Sequence, residues 1–321
     1  MKSNNKIEVY FPGYTKKSVT FTIDDGNVAM DTKFLAIVKP AGIIGTFNLC
    51  APTRQTPDEY RKMYEGYEIA NHCKNHPLAF KDTEEYIPTD EPFDPNTSRE
   101  HSPEDPVVYK TDIEGLYKIH LYGSKTLRPG GWHHITDKEN YLRFSRESRE
   151  ELEEIFGKGS IKSFVWPFGA QDNESLHAAL SADGYNSIRK TGAIDDTTGF
   201  SFPEDRMAWS YNANNKNLLE SMAKYESYPD DGELKFFSFG VHSYDFERDN
   251  NWSVLEEFAE KYGNRPDDYY YATVSDLLEY EDAVKALRIT DNEIINDSGK
   301  EIFLTVNGEK ISVAANSSYK I

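Results

Sequence analysis

Hydrophobic and polar residues follow one another along the chain in short runs that predict strands alternating with helices. In Val19–Ile23, valine, phenylalanine and isoleucine alternate with threonine, which is typical of a strand with a buried face. The next segment, Asp31–Lys39, has apolar residues at helical spacing, with Asp31 or Thr32 as the cap and Pro40 beyond its end. Further strands are predicted at Ile7–Tyr10, Ile43–Leu49, Glu68–Ala70, Ile161–Val165, Tyr185–Arg189, Leu234–Val241 and Tyr269–Ala272, and further helices at Pro57–Glu65, Ser145–Phe156, Glu174–Ala182, Lys216–Tyr225, Trp252–Tyr262 and Ser275–Leu287.

This alternation places the protein in the α/β class. Parallel strands need a long crossover between them, and a helix after each strand provides it. Seven or eight such units precede residue 288, which suits a closed or nearly closed β/α barrel. The active site of such a barrel lies at the C-terminal ends of its strands.

A long insertion interrupts the alternation at about 77–143, where proline, acidic residues and tyrosine are frequent. Leu116–Leu121 is predicted to be a strand and Lys125–Gly131 a turn. Loops of this length in compact domains are usually functional or disordered, so we expect the insertion to lie near the active site. It carries four histidines, His101, His120, His133 and His134.

The pattern changes again after residue 287. Short alternating strands follow Arg288, and Asn307–Gly308 is a hairpin signal. We therefore predict two units, a β/α barrel over 1–287 and a small C-terminal β appendage over 288–321.

Composition excludes several classes of protein. Among 321 residues, 55 acidic and 36 basic side chains give a net charge of −19, which argues against nucleic acid and anionic membranes as partners. No apolar run reaches the roughly 18 residues of a membrane span. The N-terminus lacks an apolar signal segment, and Cys50 and Cys73 are too few for a disulfide scaffold. These features predict a cytoplasmic location; a secreted protein whose signal had been removed would show the same pattern.

Two adjacent carboxylates, Asp24 and Asp25, end the strand that begins at Val19 and are followed by Gly26. Successive strand residues point to opposite sides, so one aspartate could hold a metal ion while the other handles a proton. The alternative is an ordinary strand-ending turn, which these residue types also favour.

Two histidines, His72 and His76, follow the strand predicted at Glu68–Ala70. On one helical turn, residues four apart face the same way, so both imidazoles could reach one cation. Imidazole and carboxylate ligands suit zinc or a similar divalent transition metal. The alternative is that His72 caps a helix and His76 packs before Pro77.

Two later strands also end in candidate site residues. The strand at Ile161–Val165 runs into Trp166-Pro-Phe-Gly169, an aromatic turn whose rings could stack on a sugar and whose backbone N–H could donate to an oxyanion. The strand Leu234–Val241 ends beside His242, a candidate general acid. Alternatively, the turn caps the core and His242 is a buried core histidine.

Together these segments resemble the motifs of the polysaccharide deacetylases, the family 4 carbohydrate esterases that include the chitooligosaccharide deacetylases. Thr22–Gly26 resembles the family's T-F-D-D-G, and His72–His76 its H-[ST]-x-x-H, with Cys73 in the Ser/Thr position. Gly45–Leu49 is similar to A-T-F-F-L, Phe164–Gly169 to R-x-P-[YF]-G, and Val241–His242 to the late Leu-x-His. The motifs occur in the family's order over residues 19–290.

The resemblance implies a distorted (β/α) barrel of seven or eight strands that binds a divalent metal ion, usually zinc. Asp24 would be the general base toward the attacking water, and His242 would protonate the leaving amine. A backbone N–H near Phe168 and the metal would stabilise the oxyanion. The reaction would remove the N-acetyl group of an amino-sugar-containing carbohydrate and release acetate. The metal ligands implied by the motifs are Asp25, His72 and His76.

The chain departs from the family pattern at two positions. The motif arginine that orients the base falls at Val165, and we predict that Arg189 replaces it from the neighbouring strand. The D-x-x-D-W motif that assists the late histidine has Ala208 in place of its second acid. His242 would then be supported by Asp245 or by Asp205. Three further residues are predicted to bind substrate, Trp166 and Pro167 in the aromatic turn and Trp209 in an acetyl pocket.

Two alternative functions remain open from the sequence. The first is a carbohydrate-binding protein without activity, because Val165 and Ala208 remove two supporting groups. The second is a hydrolase of a non-sugar amide or imide.

Overall fold

The computed structural model of the protein describes residues 5–51, 55–82, 86–99, 107–121, 131–169, 173–190 and 199–321. Its strands are β1 (Ile7–Tyr10), β2 (Lys17–Asp24), β3 (Thr46–Leu49), β4 (Glu68–Asn71), β5 (Leu78–Ala79), β6 (Val108–Lys110), β7 (Tyr117–Leu121), β8 (Gly131–Thr136), β9 (Ser163–Val165), β10 (Ser187–Arg189), β11 (Lys235–His242), β12 (Tyr269–Tyr271), β13 (Arg288–Ile289), β14 (Glu293–Asn296), β15 (Ile302–Val306), β16 (Glu309–Val313) and β17 (Ser317–Lys320). Its helices are α1 (Val28–Val38), α2 (Pro57–Met63), α3 (Lys138–Phe156), α4 (Glu174–Ser181), α5 (Leu218–Ser227), α6 (Ser243–Arg248), α7 (Trp252–Tyr262) and α8 (Val274–Lys285).

The central sheet is a parallel sheet of seven strands organised around β2. Its order is β10-β9-β4-β3-β2-β11, and β12 also pairs with β2. β11 pairs with β2 along its whole length, from Lys17 to Asp24. β3 pairs with the C-terminal end of β2, whereas β12 pairs with its N-terminal end. Every connection in this sheet is a crossover, which places all the strand C-termini at one end.

The two outer strands of this sheet, β10 and β11, are joined by the segment 209–213. Arg189 forms a parallel bridge with Trp209, and Ala213 forms one with Phe239. The Gly240 backbone N–H donates to the Ala213 carbonyl at 2.9 Å. The sheet therefore closes through an irregular segment, and the prediction of a distorted (β/α) barrel is confirmed.

Aromatic residues hold β2 in place within this barrel. Phe21 is fully buried, and its ring centroid lies 5.0 Å from that of Phe34 on α1 and 5.3 Å from that of Phe47 on β3. Burial of a phenylalanine side chain contributes about 1.5–3 kcal/mol, so these contacts fix the strand firmly. The carboxylates at the end of β2 are thereby held at a defined position.

Two helices begin earlier than the sequence predicts, because other side chains cap them. Asn27 accepts a hydrogen bond from the Met30 N–H, so α1 starts ahead of the predicted Asp31. Asp137 caps α3 by accepting from the Asn140 N–H at 2.8 Å. The predicted cap, Ser145, is instead buried inside that helix.

The insertion contains a second sheet among its described residues. It has four strands in the order β5-β8-β7-β6, and β7 confirms the predicted strand at Leu116–Leu121. This sheet contacts residues 72–77, the loop that follows β4 (the β4 loop), since His134 Nδ1 lies 3.1 Å from the Asn75 carbonyl oxygen. His101 and most of the predicted turn at Lys125–Gly131 lie outside the described residues.

The C-terminal strands form two small antiparallel sheets, β1-β15-β16, which also includes the N-terminal strand β1, and β13-β14-β17. The predicted hairpin is present, because Asn307 and Gly308 join β15 to β16 with φ values of 54° and 87°. Leu304 and Ile311 of this region share one buried cluster with Phe11 and with α8. In the part of the chain that the structure describes, every helix is too short or too polar to cross a membrane.

Candidate active site

Asp24 lies at the C-terminal end of β2, paired in register with Asn48 on one side and His242 on the other. Its carboxylate is buried, and Asn48 Nδ2 donates to Oδ1 at 2.6 Å. Arg189 Nη2 donates to the same oxygen. Arg189 thus lies against Asp24, as predicted for the residue that replaces the motif arginine.

The surroundings of Asp24 keep it ionised. Burial opposes its charge, but the Arg189 guanidinium, with His72 and His242, holds the pKa of the Asp24 carboxyl below its usual range. The carboxylate is therefore available to accept a proton at neutral pH.

Asp25 faces two imidazoles across a short gap. Its backbone adopts a left-handed conformation with a φ of 75°, so the extended strand ends at Asp24. Asp25 Oδ1 lies 3.3 Å from His72 Nε2 and 3.3 Å from His76 Nε2. Tyr244 donates its hydroxyl to Asp25 Oδ2 at 2.7 Å.

The prediction that His72 and His76 share a helical turn is wrong. Residues 72–77 form an irregular loop in which Cys73, Asn75 and His76 all have positive φ values, 63°, 63° and 47°. This loop still brings the two imidazoles together, with ring centroids 4.8 Å apart. The loop also directs the Cys73 side chain into the buried cluster beside α3.

Both imidazoles present Nε2 to Asp25. His72 Nδ1 donates to the Val165 carbonyl at 2.8 Å, which fixes the ring with its Nε2 toward Asp25. Burial, together with the neighbouring His72, lowers the pKa of His76 to about 4, which keeps that ring neutral. Neutral imidazoles are the form that binds metal ions.

These residues fit a divalent metal ion. Asp25 Oδ1 is buried and has no hydrogen-bond partner among the described residues. Ligands at about 2.0–2.1 Å from a tetrahedral ion are roughly 3.3 Å apart, which matches both Asp25–histidine separations. Cys50 also belongs to this cluster, since one ligand atom from each of the four side chains lies within 4.8 Å of the others.

His242 is held beside this cluster by Asp245. Its Nδ1 lies 2.9 Å from Asp245 Oδ2, and its Nε2 lies 3.7 Å from Asp25 Oδ2. Burial opposes protonation, but the Asp245 hydrogen bond and the charges of Asp25 and Asp24 raise the pKa of His242 to about 9. Of the two supports predicted for His242, the structure places Asp245 in contact, whereas Asp205 accepts from the Met207 N–H.

The residues of the aromatic turn and Trp209, which are predicted to bind substrate, differ in how far their side chains are exposed. Trp166 is 1% exposed and Trp209 4% exposed, so neither ring presents an open face to solvent. Pro167 is also buried. Phe168 is partly exposed, and its ring centroid lies 4.4 Å from that of His76 and 5.3 Å from that of His133. Phe168 is thus the aromatic residue of this turn that lies against the β4 loop.

Three residues of the site were not predicted from the sequence. Asn48 binds Asp24, and the pairing of β3 with β2 is the signal that could have found it. Tyr244 lies on α6, a short helix that the hydrophobic pattern does not predict. Cys50 directly follows β3, so its place at the end of a predicted strand was the available signal.

Comparisons with known proteins agree with the motifs. Residues 12–98 match the family model described as polysaccharide deacetylase. None of the curated proteins matches the chain.

Several solved structures are similar to the chain at low identity. The Xyl-CE4 domain of a multidomain xylanase from the hindgut metagenome of Trinervitermes trinervoides is 14% identical, with 84% of this chain and 92% of that chain covered and a TM-score of 0.45. The chitin deacetylase of the fungal pathogen Colletotrichum lindemuthianum is 16% identical, with 84% and 88% covered and a TM-score of 0.43. A family 4 carbohydrate esterase from Streptomyces lividans, in complex with acetate, is 14% identical, with 76% and 86% covered and a TM-score of 0.40. The family-model match over residues 12–98 confirms the predicted resemblance of this chain to the polysaccharide deacetylases.

Proposed function

We propose that this protein is a metal-dependent hydrolase that removes N-acetyl groups from an amino-sugar-containing carbohydrate and releases acetate. One observation carries the proposal: the Asp24 carboxylate and the His242 imidazole flank the cluster formed by Asp25, His72 and His76. Asp24 is paired with Arg189, and His242 is paired with Asp245. A binding protein has no need of a base, a metal site and an acid together. The family-model match to polysaccharide deacetylases supports the same reaction class.

Asp25, His72 and His76 would hold the metal ion, and zinc suits this set of oxygen and nitrogen ligands. When bound, such an ion supplies Lewis acidity toward the acetyl carbonyl and the attacking water. Tyr244 orients Asp25 by donating to Oδ2, which leaves Oδ1 directed at the two imidazoles.

Asp24 would accept a proton from the attacking water. Arg189 and Asn48 both donate to its Oδ1, so we assign the proton transfer to Oδ2. The Arg189 contact fixes the orientation of the carboxylate, which is the role that a base-positioning arginine requires. Its low pKa makes Asp24 a weak base, so the transfer depends on the water being activated at the same site.

His242 would return a proton to the leaving nitrogen. Its Nδ1 is engaged by Asp245, so Nε2 is the atom that carries the proton toward the site. With a pKa raised to about 9, the ring is protonated at neutral pH and can act as a general acid. The backbone N–H of Phe168 is the candidate for oxyanion binding, since Phe168 lies against His76 and the Gly169 and Trp166 N–H groups donate to backbone carbonyls.

Acetate release with and without chelator tests the proposal. Chitooligosaccharides, peptidoglycan fragments and acetylxylan would be incubated with the zinc-loaded protein, with the chelated protein and with Asp24→Asn. We expect release from an N-acetylated substrate by the loaded protein, loss on chelation and recovery with zinc. Asp24→Asn should bind zinc and release no acetate. If no carbohydrate releases acetate while zinc is bound, the proposal is overturned in favour of a non-sugar amide or imide hydrolase.

A further inference from the structure

Cys50 lies beside the candidate metal ligands although the family motifs assign it no role. It directly follows β3 and is half-buried. Its Sγ belongs to the same cluster as Asp25, His72 and His76, in which one ligand atom from each residue lies within 4.8 Å of the others. The Cys50 thiol donates to the carbonyl oxygen of His72, the first residue of the β4 loop, at 3.3 Å.

We propose that the Cys50 thiolate is a fourth protein ligand of the metal ion, an inference that rests on the metal-dependent function proposed above. When the ion binds, a metal–sulfur bond forms, the S–H bond breaks and the proton goes to solvent. In a tetrahedral zinc site, a sulfur at about 2.3 Å and a nitrogen at about 2.0–2.1 Å are roughly 3.6 Å apart. In the present cluster the ligand atoms are at most 4.8 Å apart, so each sulfur separation exceeds the tetrahedral separation by about 1.2 Å at most.

The other members of the cluster are arranged to receive a fourth donor. The buried Oδ1 of Asp25 lacks a hydrogen-bond partner among the described residues and lies between the two Nε2 atoms. His72 is almost fully buried, and its Nδ1 is fixed by Val165, so its Nε2 can only be directed into the cluster. Three donors leave one position of a tetrahedral shell, which Cys50, next to β3, would fill.

The second cysteine provides an internal control. Cys73 lies between the two histidines in sequence, but its side chain is buried with Tyr141, Phe144 and Trp166 and is not part of the ligand cluster. Its positive φ of 63° turns it into that core. The two cysteines therefore differ in their access to the ion and can be compared by the same substitution.

A sulfur ligand would change which metal the site prefers. Thiolate favours zinc and cobalt over magnesium, calcium and manganese, which carboxylate and water ligands suit. Four protein donors would also complete a tetrahedral shell, so that reaction at the ion requires a fifth coordination position.

Cobalt(II) spectroscopy tests this assignment without measuring activity. The metal-free full chain would be titrated with Co²⁺ as wild type, Cys50→Ala and Cys73→Ala. We expect a thiolate-to-cobalt charge-transfer band in the near ultraviolet for wild type and Cys73→Ala, and its loss in Cys50→Ala. The visible ligand-field bands should persist in all three proteins, because Asp25, His72 and His76 remain. Zinc competition against a chelator should show at least about a tenfold weaker affinity for Cys50→Ala.

The outcomes separate this inference from the function proposed above. Ligand-field bands without the charge-transfer band in wild type, or the same band in Cys50→Ala, would overturn the sulfur ligand and leave the metal site intact. The absence of any cobalt bands in wild type would overturn both. Circular dichroism of each variant establishes that a lost band does not reflect unfolding.

Discussion

Arg189 and Asp24 form an ion pair inside the barrel, between strands that are not neighbours. The Nη2 atom of Arg189 donates to Asp24 Oδ1, and the two side chains are 0% and 6% exposed. In the sheet, β10 is separated from β2 by β9, β4 and β3, so the arginine reaches across the strand ends to the carboxylate. The motif position holds Val165, which has no guanidinium. Arg189, on a different strand, places a guanidinium beside Asp24 instead.

Arg189→Ala should lower kcat by about 100-fold or more while the protein still binds one zinc ion, because the arginine orients the base by donating to Asp24, which is not one of the proposed metal ligands. Removal of one partner from a buried ion pair also costs about 3–5 kcal/mol of unfolding free energy. Turnover, zinc content and denaturant unfolding would be measured. Unchanged turnover in a folded variant would contradict the positioning role.

The double variant Arg189→Met with Asp24→Asn provides the control for stability. It removes both charges, so most of the lost unfolding free energy should return, whereas activity should not. Recovery of activity together with stability would contradict the role of Asp24 as the base.

Asp245→Asn should move the alkaline limit of activity to lower pH. Asp245 is the closest partner of His242 Nδ1 and helps to raise the pKa of that imidazole to about 9. Without the carboxylate charge, His242 loses its proton at a pH lower by about one unit or more, so the acid form disappears earlier as pH rises. The pH profile of kcat/KM measures this shift. Asp205→Asn is the matched control and should leave the profile unchanged, because Asp205 lies elsewhere.

Tyr244→Phe should weaken zinc binding by about tenfold through its effect on Asp25. The tyrosine hydroxyl donates to Asp25 Oδ2 at 2.7 Å, and partners of metal ligands typically affect affinity by about 10–100-fold. The ring stacks on His242 with centroids 4.7 Å apart, and phenylalanine preserves that contact. Chelator competition gives the affinity. Tyr10→Phe, whose hydroxyl donates to Glu8 away from the site, serves as the control, and an equal loss there would argue against a specific role.

Asp31 should make the protein less stable as pH rises from about 4 to about 6. This residue of α1 is fully buried and accepts hydrogen bonds from Tyr64 and Ser243. Burial nevertheless raises the pKa of Asp31 from 3.8 to about 6. Between those values the folded protein binds more protons than the unfolded chain, so the unfolding free energy falls with pH, by about 3 kcal/mol in total.

Asp31→Asn should remove this part of the pH dependence, since an amide does not titrate. Denaturant unfolding between pH 4 and pH 7 measures the slope in wild type and variant. The exposed residue Asp291 offers a matched substitution, Asp291→Asn, that should leave the slope as it is. Equal slopes for wild type and Asp31→Asn would contradict the assignment.

The site residues that could be predicted are those at strand ends. Strand periodicity locates the ends of β2, β4 and β11, and the parallel sheet brings those ends together, so Asp24, Asp25 and His242 follow from the pattern. Arg189 was also predicted, because it ends a strand next to the one that lacks the motif arginine. The strand-end inferences need only the order of strands and the direction in which each runs, whereas the Arg189 inference also needs the family motif.

Other features depend on contacts that periodicity does not encode. The β4 loop reaches its shape through three non-glycine residues with positive φ, among them Cys73 and His76, so four-residue spacing suggested a helix that is absent. Trp166 follows a strand as Phe168 does, yet it packs into the core beside Tyr141. Tertiary contacts such as the one between Trp166 and Tyr141 of α3 separate those two outcomes, and they involve residues distant in sequence.

The pairing of β1 with β15 ties the two ends of the described polypeptide to each other. Ile7 is in register with Val306, and the strand that follows β1 carries the aspartate pair. Expression of residues 1–287 alone would leave β1 with an open edge and uncover Phe11, Tyr280 and the inner face of α8. The C-terminal sheets thus hold the start of β2 in place through the pairing of β15 with β1. A truncation boundary at residue 287 would cut through the core that these sheets share with Phe11 and α8.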